Sequence, residues 1–166
     1  MIIRPYTPED AAALRELFRD TIRHVNSRDY TPEQIEAWVA GAADLEAWTR
    51  RFEQRFVYVA ERDLPSTTSG HPQLLGFGEL ESNGHIDRFY CHKDAQGQGV
   101  GTQLLQQIEA KGRSLALPRL YAEVSLTARP FFEHRGFSVL YREVVQRQGQ
   151  SLVRFQMEKL LSIAPS

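Results

Sequence analysis

Cysteine is almost missing from this chain. Cys91 stands alone in 166 residues, so no disulfide can form within it, and a reducing compartment is the natural reading. Charge of one sign is also missing, for the formal net charge is −1. Nucleic-acid binding driven by counterion release needs a basic face, so no such partner is expected. No apolar run approaches the ~20 residues of a membrane span, and no membrane partner is expected either. The start reaches Pro5, Glu9 and Asp10 too soon for a signal peptide. Together these absences predict a cytoplasmic protein. The five histidines, at 24, 71, 85, 92 and 134, show no ligand spacing, so no metal is expected. There is no internal repeat and no linker composition. The length therefore reads as one domain, residues 1–166. At this size a domain buries close to ~70% of its unfolded surface and needs no metal or disulfide to hold it.

What is present alternates between helical and extended patterns. Ile2–Arg4 reads as a short strand ended by Pro5. Thr7-Pro8-Glu9-Asp10 is a helix start, with a capping threonine, proline at the first helical position and acids in the first turn. Leu14, Leu17, Phe18, Ile22 and Val25 then recur at helical spacing. Thr31-Pro32-Glu33-Gln34 repeats the signal for a second helix ended by Gly41, and Asp44 caps a third carrying Leu45, Trp48 and Phe52. Both tryptophans, Trp38 and Trp48, read as core. Phe56–Ala60, Leu74–Leu80 and Ile86–Cys91 are strand-like, the last two joined by the turn Ser82-Asn83-Gly84. Residues 63–73 have loop composition and 162–166 read as a frayed tail. After residue 96 come a helix to about Leu115, a strand at Leu120–Val124, and a short helix closed by Arg135-Gly136. A terminal hairpin runs from Phe137 to Val145 and from Leu152 to Met157. The order β-ααα-βββ-α-β-α-ββ predicts α/β layers on one central sheet.

The informative stretch is Gln96-Gly97-Gln98-Gly99-Val100-Gly101-Thr102, between a strand and a helix. Unpaired main-chain N–H groups gather at a helix N-terminus, and the helix dipole adds roughly half a positive charge there. Glycine leaves room for an anion to reach them, so a pyrophosphate is the expected guest. A Walker A loop would need Gly-Lys-Ser/Thr, but Gly101 meets Thr102 directly. A dinucleotide fingerprint would need glycine where Thr102 stands.

Gln96, Gly99 and Gly101 match the Gln/Arg-x-x-Gly-x-Gly/Ala signature of the GNAT superfamily of acyl-CoA-dependent N-acetyltransferases. Ile86–His92 resembles that family's fourth strand, and Ala128-Arg129-Pro130-Phe131-Phe132-Glu133-His134-Arg135-Gly136-Phe137 is similar to its Ala-x-x-Phe-Tyr-x-x-x-Gly-Phe element. The specific part runs from about Leu74 to Phe137. The resemblance implies a mixed, mostly antiparallel seven-stranded sheet with helices on both faces, split into a V between its fourth and fifth strands. It implies acetyl-CoA as cosubstrate, with the pyrophosphate on the amides of Gly97, Gln98, Gly99, Val100, Gly101 and Thr102. The pantetheine arm would lie in the V, pairing with the fourth strand like an added strand. Phe89, Tyr90, Cys91, Ser125, Ala128, Phe131 and Phe132 would line it. The acceptor is an amine, with His24, Asn26 and Tyr30 between the first helices as candidate contacts. The resemblance leaves a homodimer open.

An alkyl amine with a pKa of about 10.4 is ~99.9% protonated at pH 7, and freeing it costs ~4.6 kcal/mol, so a base helps. Strand alternation puts Asp87, Phe89 and Cys91 on one side. Asp87 lies about where some family members keep a carboxylate. Glu79, across the hairpin, is a second candidate, and two nearby carboxylates raise one pKa by repulsion; Glu123 is a third. Cys91 lacks the partners of a nucleophile and reads as a small buried hydrophobe. The family's tyrosine, which protonates the departing thiolate, is Phe132 here, and the asparagine often found seven residues earlier is Ser125. Two rival readings stay open. One is an acyl-CoA-binding module without catalysis. The other is an interaction protein using the Arg- and Phe-rich terminal hairpin, which would bind no CoA.

Overall fold

The computed structural model describes residues 1–62 and 73–162. The loop expected at 63–73 falls outside the described residues except at its last position, and so does the expected tail except Ser162.

The chain runs through β1 (Ile2–Pro5), α1 (Ala11–His24), α2 (Pro32–Val39), α3 (Leu45–Arg50), β2 (Phe56–Arg62), β3 (Gln73–Leu80) and β4 (His85–Cys91). It continues through α4 (Val100–Ser114), β5 (Arg119–Ser125), α5 (Arg129–His134), β6 (Ser138–Arg147) and β7 (Gln150–Leu160). Element order follows the sequence reading throughout. The capping signals act as expected. The Thr31 side chain accepts from the Gln34 amide, with the reciprocal Gln34 bond present, and Asp44 accepts from the amides of Glu46 and Ala47. The Phe137 amide donates to the Phe132 carbonyl and the Gly136 amide to Glu133, closing α5. Pro8–Asp10 differs: it forms a separate 3-10 turn ahead of α1.

The seven strands form one sheet in the order β1-β2-β3-β4-β5-β7-β6. Every neighbouring pair is antiparallel except β4 and β5. Those two share only the register pairs His85↔Tyr121 and Ile86↔Ala122 before they part. β5 meanwhile stays paired to β7 along its whole length, to Ser125↔Arg154. From Asp87 onward the two strands therefore diverge, and the sheet opens as a V.

Alternation in β2 shows how the layers form. Val57 and Val59 point to a core made with Leu14, Phe18, Ile22, Ile35 and Trp48 of the first three helices and Phe52 of the turn after them. Phe56 and Tyr58 point to the opposite face, against the core that holds Leu105, Ile108 and Phe132. Helices therefore cover both faces, α1–α3 on one and α4–α5 on the other.

One irregularity in β4 matters for function. Gly78 pairs with Phe89, and Leu80 pairs with Ile86, so three steps of β4 oppose two of β3. This is a β-bulge at Asp87-Arg88. It brings Ile86 and Phe89 to the same α4–α5 side, where both join one core. Arg88 and Tyr90 pack on the other side, against Trp48 and Phe18 respectively.

Candidate active site

The loop between β4 and α4 is built to leave its main chain bare. The Gln96 side chain donates to the carbonyls of Cys91 and His92, which ties the loop to the strand end. Gly97 and Gly99 take left-handed φ values of +72° and +82°. A Cβ at Gly99 would meet nothing within 4 Å, so glycine is needed there for conformation rather than space. Gly101 is the reverse case. A Cβ there would lie 3.0 Å from the Phe131 ring and 3.4 Å from Cys91 Sγ, so its absence lets α5 approach α4. Among the described residues none accepts a hydrogen bond from the main-chain N–H groups of 96–102. Beside them Arg135 donates to Thr102 Oγ1 while its Nε has no partner among the described residues. Bare amides, a helix N-terminus and a guanidinium suit an anion the size of a pyrophosphate.

A cavity of about 350 Å³ starts at this loop and follows the V. Its walls are Phe89, Tyr90 and Cys91 of β4, Ala122–Ser125 of β5, and Ala128, Phe131 and Phe132 around α5. Burial drives the Cys91 thiol up to about 12, so it stays neutral at physiological pH and is no nucleophile. Phe132 is buried and packs edge-on against Phe89, Phe131 and Phe137.

A second cavity of about 290 Å³ lies on the α1–α3 side, closed by the β6–β7 hairpin. The two cavities share Trp38, Asp87, Tyr90, Glu123 and Ser125 as walls. That junction is where a ligand in one would meet a ligand in the other.

The charges at the junction are held in pairs. Asp87 Oδ2 accepts from Arg51 at 2.7 Å and from Arg55, leaving Oδ1 without a partner among the described residues. Burial pushes the Asp87 carboxyl up, but the two arginines outweigh it and hold it below the ordinary value. Glu123 accepts from His85 Nε2 at 2.5 Å, and this bond holds it low as well. His85 reaches Glu81 with its other nitrogen at 2.6 Å. With a carboxylate at each nitrogen the ring is an imidazolium, raised to about 9 chiefly by Glu123.

The match of a family model described as "Acetyltransferase (GNAT) domain" over residues 26–159 decides the family. The chain belongs to the GNAT acetyltransferase family. It is 29% identical over 156 residues to the "Uncharacterized N-acetyltransferase YafP" of Escherichia coli (strain K12), covering 93% of each chain. It is 33% identical to a GCN5-related N-acetyltransferase from Rhodopseudomonas palustris, with a TM-score of 0.86 over 96% of this chain and 95% of that one. The PaiA N-acetyltransferase of Thermoplasma acidophilum, solved with coenzyme A, shares the fold at 21% identity and a TM-score of 0.69, with 96% and 98% covered.

Against this GNAT frame, most of the residues expected around the cosubstrate line the first cavity. Gln98 does not: its side chain accepts from Arg62 and donates to the Asp94 carbonyl. The expected grouping of Asp87 with Phe89 and Cys91 is overturned, because the bulge turns Asp87 to the α3 side of the strand. Glu79 lines neither cavity. It is buried, bound by Arg88 through both oxygens and by Arg55 at 3.2 Å. Burial pushes it up while these arginines oppose the shift. Arg55 stands between Glu79 and Asp87, and the expected repulsion from Asp87 still adds to the rise of Glu79, behind burial and against the arginines. His24 is exposed, with Nδ1 at its own helix's Asp20 carbonyl, and lines neither cavity. Asn26 is buried beside Ser125 at the first cavity. Tyr30 lines the second, but its hydroxyl donates to the Val153 carbonyl and accepts from the Leu126 amide, tying the segment before α2 to β7 and to the end of β5. Trp48 is core, as expected, whereas Trp38 reaches the junction.

Sequence reasoning missed Arg51, Arg88 and Arg135. No local pattern marks them, since their roles come from packing between distant segments. Among the described residues no group of three or more His, Cys, Asp or Glu is placed to hold a metal, and no helix is long and apolar enough to cross a membrane.

Proposed function

We propose that the chain transfers an acetyl group from acetyl-CoA to a primary amine by direct attack of the amine on the thioester. The observation that carries this reading is the bare main chain of 96–102 at the mouth of a cavity that ends at paired carboxylates. The residues present fit the cosubstrate. The amides and Arg135 suit its pyrophosphate, and the edge of β4 beyond Ile86, free of β5, suits an extended polar arm. When bound, acetyl-CoA supplies an acyl group on a thiolate leaving group.

Asp87 is the base we favour. Of the three carboxylates considered for this role, Asp87 and Glu123 reach the junction and Glu79 does not. The low proton affinity of Asp87 keeps it ionised, so it draws an ammonium in. An ammonium has no lone pair, so one proton must first pass to Asp87, directly or through water, before the nitrogen attacks; the second N–H becomes far more acidic as the new bond to carbon forms and is then lost to water. Glu123 reaches the same point and is the alternative, already engaged with His85. Phe132 offers no proton to the departing thiolate. A thiol with a pKa of about 8.5 leaves tolerably as the anion, and Tyr90 at the junction stays protonated because burial raises its pKa.

The test is amine-dependent release of CoA thiol from acetyl-CoA, alongside CoA binding by calorimetry. Thiol release with a primary amine supports transfer. Binding without turnover for any amine would reduce the chain to an acyl-CoA-binding module, and no binding at all would leave the interaction protein.

A further inference from the structure

The wall of the second cavity holds a buried donor without an acceptor among the described residues. Arg88 is 4% exposed, with its guanidinium 3.9 Å from the centre of the Trp48 ring and 4.6 Å from that of Phe52. Its Nε and Nη2 donate to Glu79, but Nη1 is buried with no acceptor among the described residues. A guanidinium cannot shed its proton to escape such a position, and a buried donor without an acceptor is costly. The stacked rings and the Glu79 bonds fix the group against moving away. Arg88 forms part of the cavity wall, together with Arg51, Arg147 and Arg154. Arg51 is answered by Asp87 and Arg154 by Glu143 at 2.5 Å. Arg147 has only the Gln146 carbonyl among the described residues. The cavity thus offers one buried donor and one exposed cation at its hairpin wall, with the Asp87–Glu123 junction also lining it.

We propose that the acceptor is an amine that also carries a carboxylate, with the carboxylate answering Arg88 and Arg147 and the amine directed at the junction. A planar carboxylate matches a guanidinium edge, and the separate cations and carboxylates of the wall orient an amino acid one way round. The volume of about 290 Å³ suits a free amino acid rather than a folded protein surface. This inference rests on acetyl transfer as the reaction of the site.

Paired acceptors test it: phenylalanine against phenethylamine, methionine against 3-(methylthio)propylamine, and 4-aminobutyrate against butylamine, all at saturating acetyl-CoA. At least one acid should exceed its carboxylate-free partner in kcat/KM by more than about tenfold, since a site with buried polar groups rejects the analogue lacking their match. Arg88→Lys keeps a charge for Glu79 but removes the Nη1 edge, and should collapse that ratio mainly through KM. Arg147→Gln, at an exposed residue, should lower it in the same direction, with acetyl-CoA affinity serving as the check on folding. Equal use of acids and amines, or preference for the amines, overturns the carboxylate and leaves acetyl transfer intact. If nothing is acetylated, calorimetry of the same pairs on the CoA-loaded protein decides. Selective binding of an acid keeps the carboxylate site and sinks transfer. No selectivity sinks the inference.

Discussion

Replacing Gly99 with glutamate separates the two functions of the loop, its shape and its charge. At φ +82° any side chain is strained, by about 1–2 kcal/mol for an L-residue in the left-handed region. Space is not the issue, since a Cβ there meets nothing within 4 Å. Gly99→Ala therefore carries the strain alone and should cost stability without a large loss of CoA affinity. Gly99→Glu adds a negative charge beside the bare amides. Two unit charges at ~4 Å repel by about 4 kcal/mol at an effective dielectric of 20, and by about half that at twice the distance. CoA affinity should therefore fall about 30- to 1,000-fold below that of Gly99→Ala in calorimetry at low salt. Raising the salt to ~1 M shortens the screening length to about 3 Å and should narrow the gap between the variants. Equal affinity of the two variants at low salt, both folded, would refute the placement of the anion on this loop.

Further outcomes follow from the site. Asp87→Asn should lower kcat by about 10²–10⁴-fold at pH 7, with the loss shrinking as the assay pH approaches the amine's pKa; Glu123→Gln losing more would pass the role of base to Glu123. Phe132→Tyr should change the maximal rate by less than about tenfold while Phe132→Ala weakens CoA binding by on the order of 1–3 kcal/mol, and a gain above about a hundredfold on installing tyrosine would show that thiolate protonation limits the reaction. His85 has a folded pKa of about 9, above its unfolded value, so its contribution to stability is complete below an unfolded pKa of ~6.5 and fades as pH rises through 9. Thermal melts should fall over that window, more steeply than those of His85→Gln; parallel curves would show that the Glu81–His85–Glu123 chain adds nothing.

The order of elements was legible because its signals are local. Thr31 and Asp44 cap helices through their own neighbours, and the Gly136 stop needs only α5. The anion loop was legible for the same reason: Gly97 and Gly99 lie within one turn of the helix they precede. The bulge at Asp87-Arg88 was not, because alternation in one strand carries no record of how many residues its partner spends over the same span. Glu79 looked open for want of Arg88 and Arg55, which only the pairing of β4 and β2 with β3 brings to it. Tyr30 could be placed near the site but not assigned, since its two partners lie at Leu126 and Val153. The walls of the second cavity come from α1–α3, the turn after α3, β4, β5 and the β6–β7 hairpin, and no single stretch of sequence foretells its charge.

A crystal structure of the protein with acetyl-CoA would test the central claim most directly. The pyrophosphate should lie within hydrogen-bond reach of the amides of 96–102 and the thioester at the junction of the two cavities, beside Tyr90, Asp87 and Glu123. A cosubstrate seated away from the β4–α4 loop, or a thioester turned from both carboxylates, would contradict it.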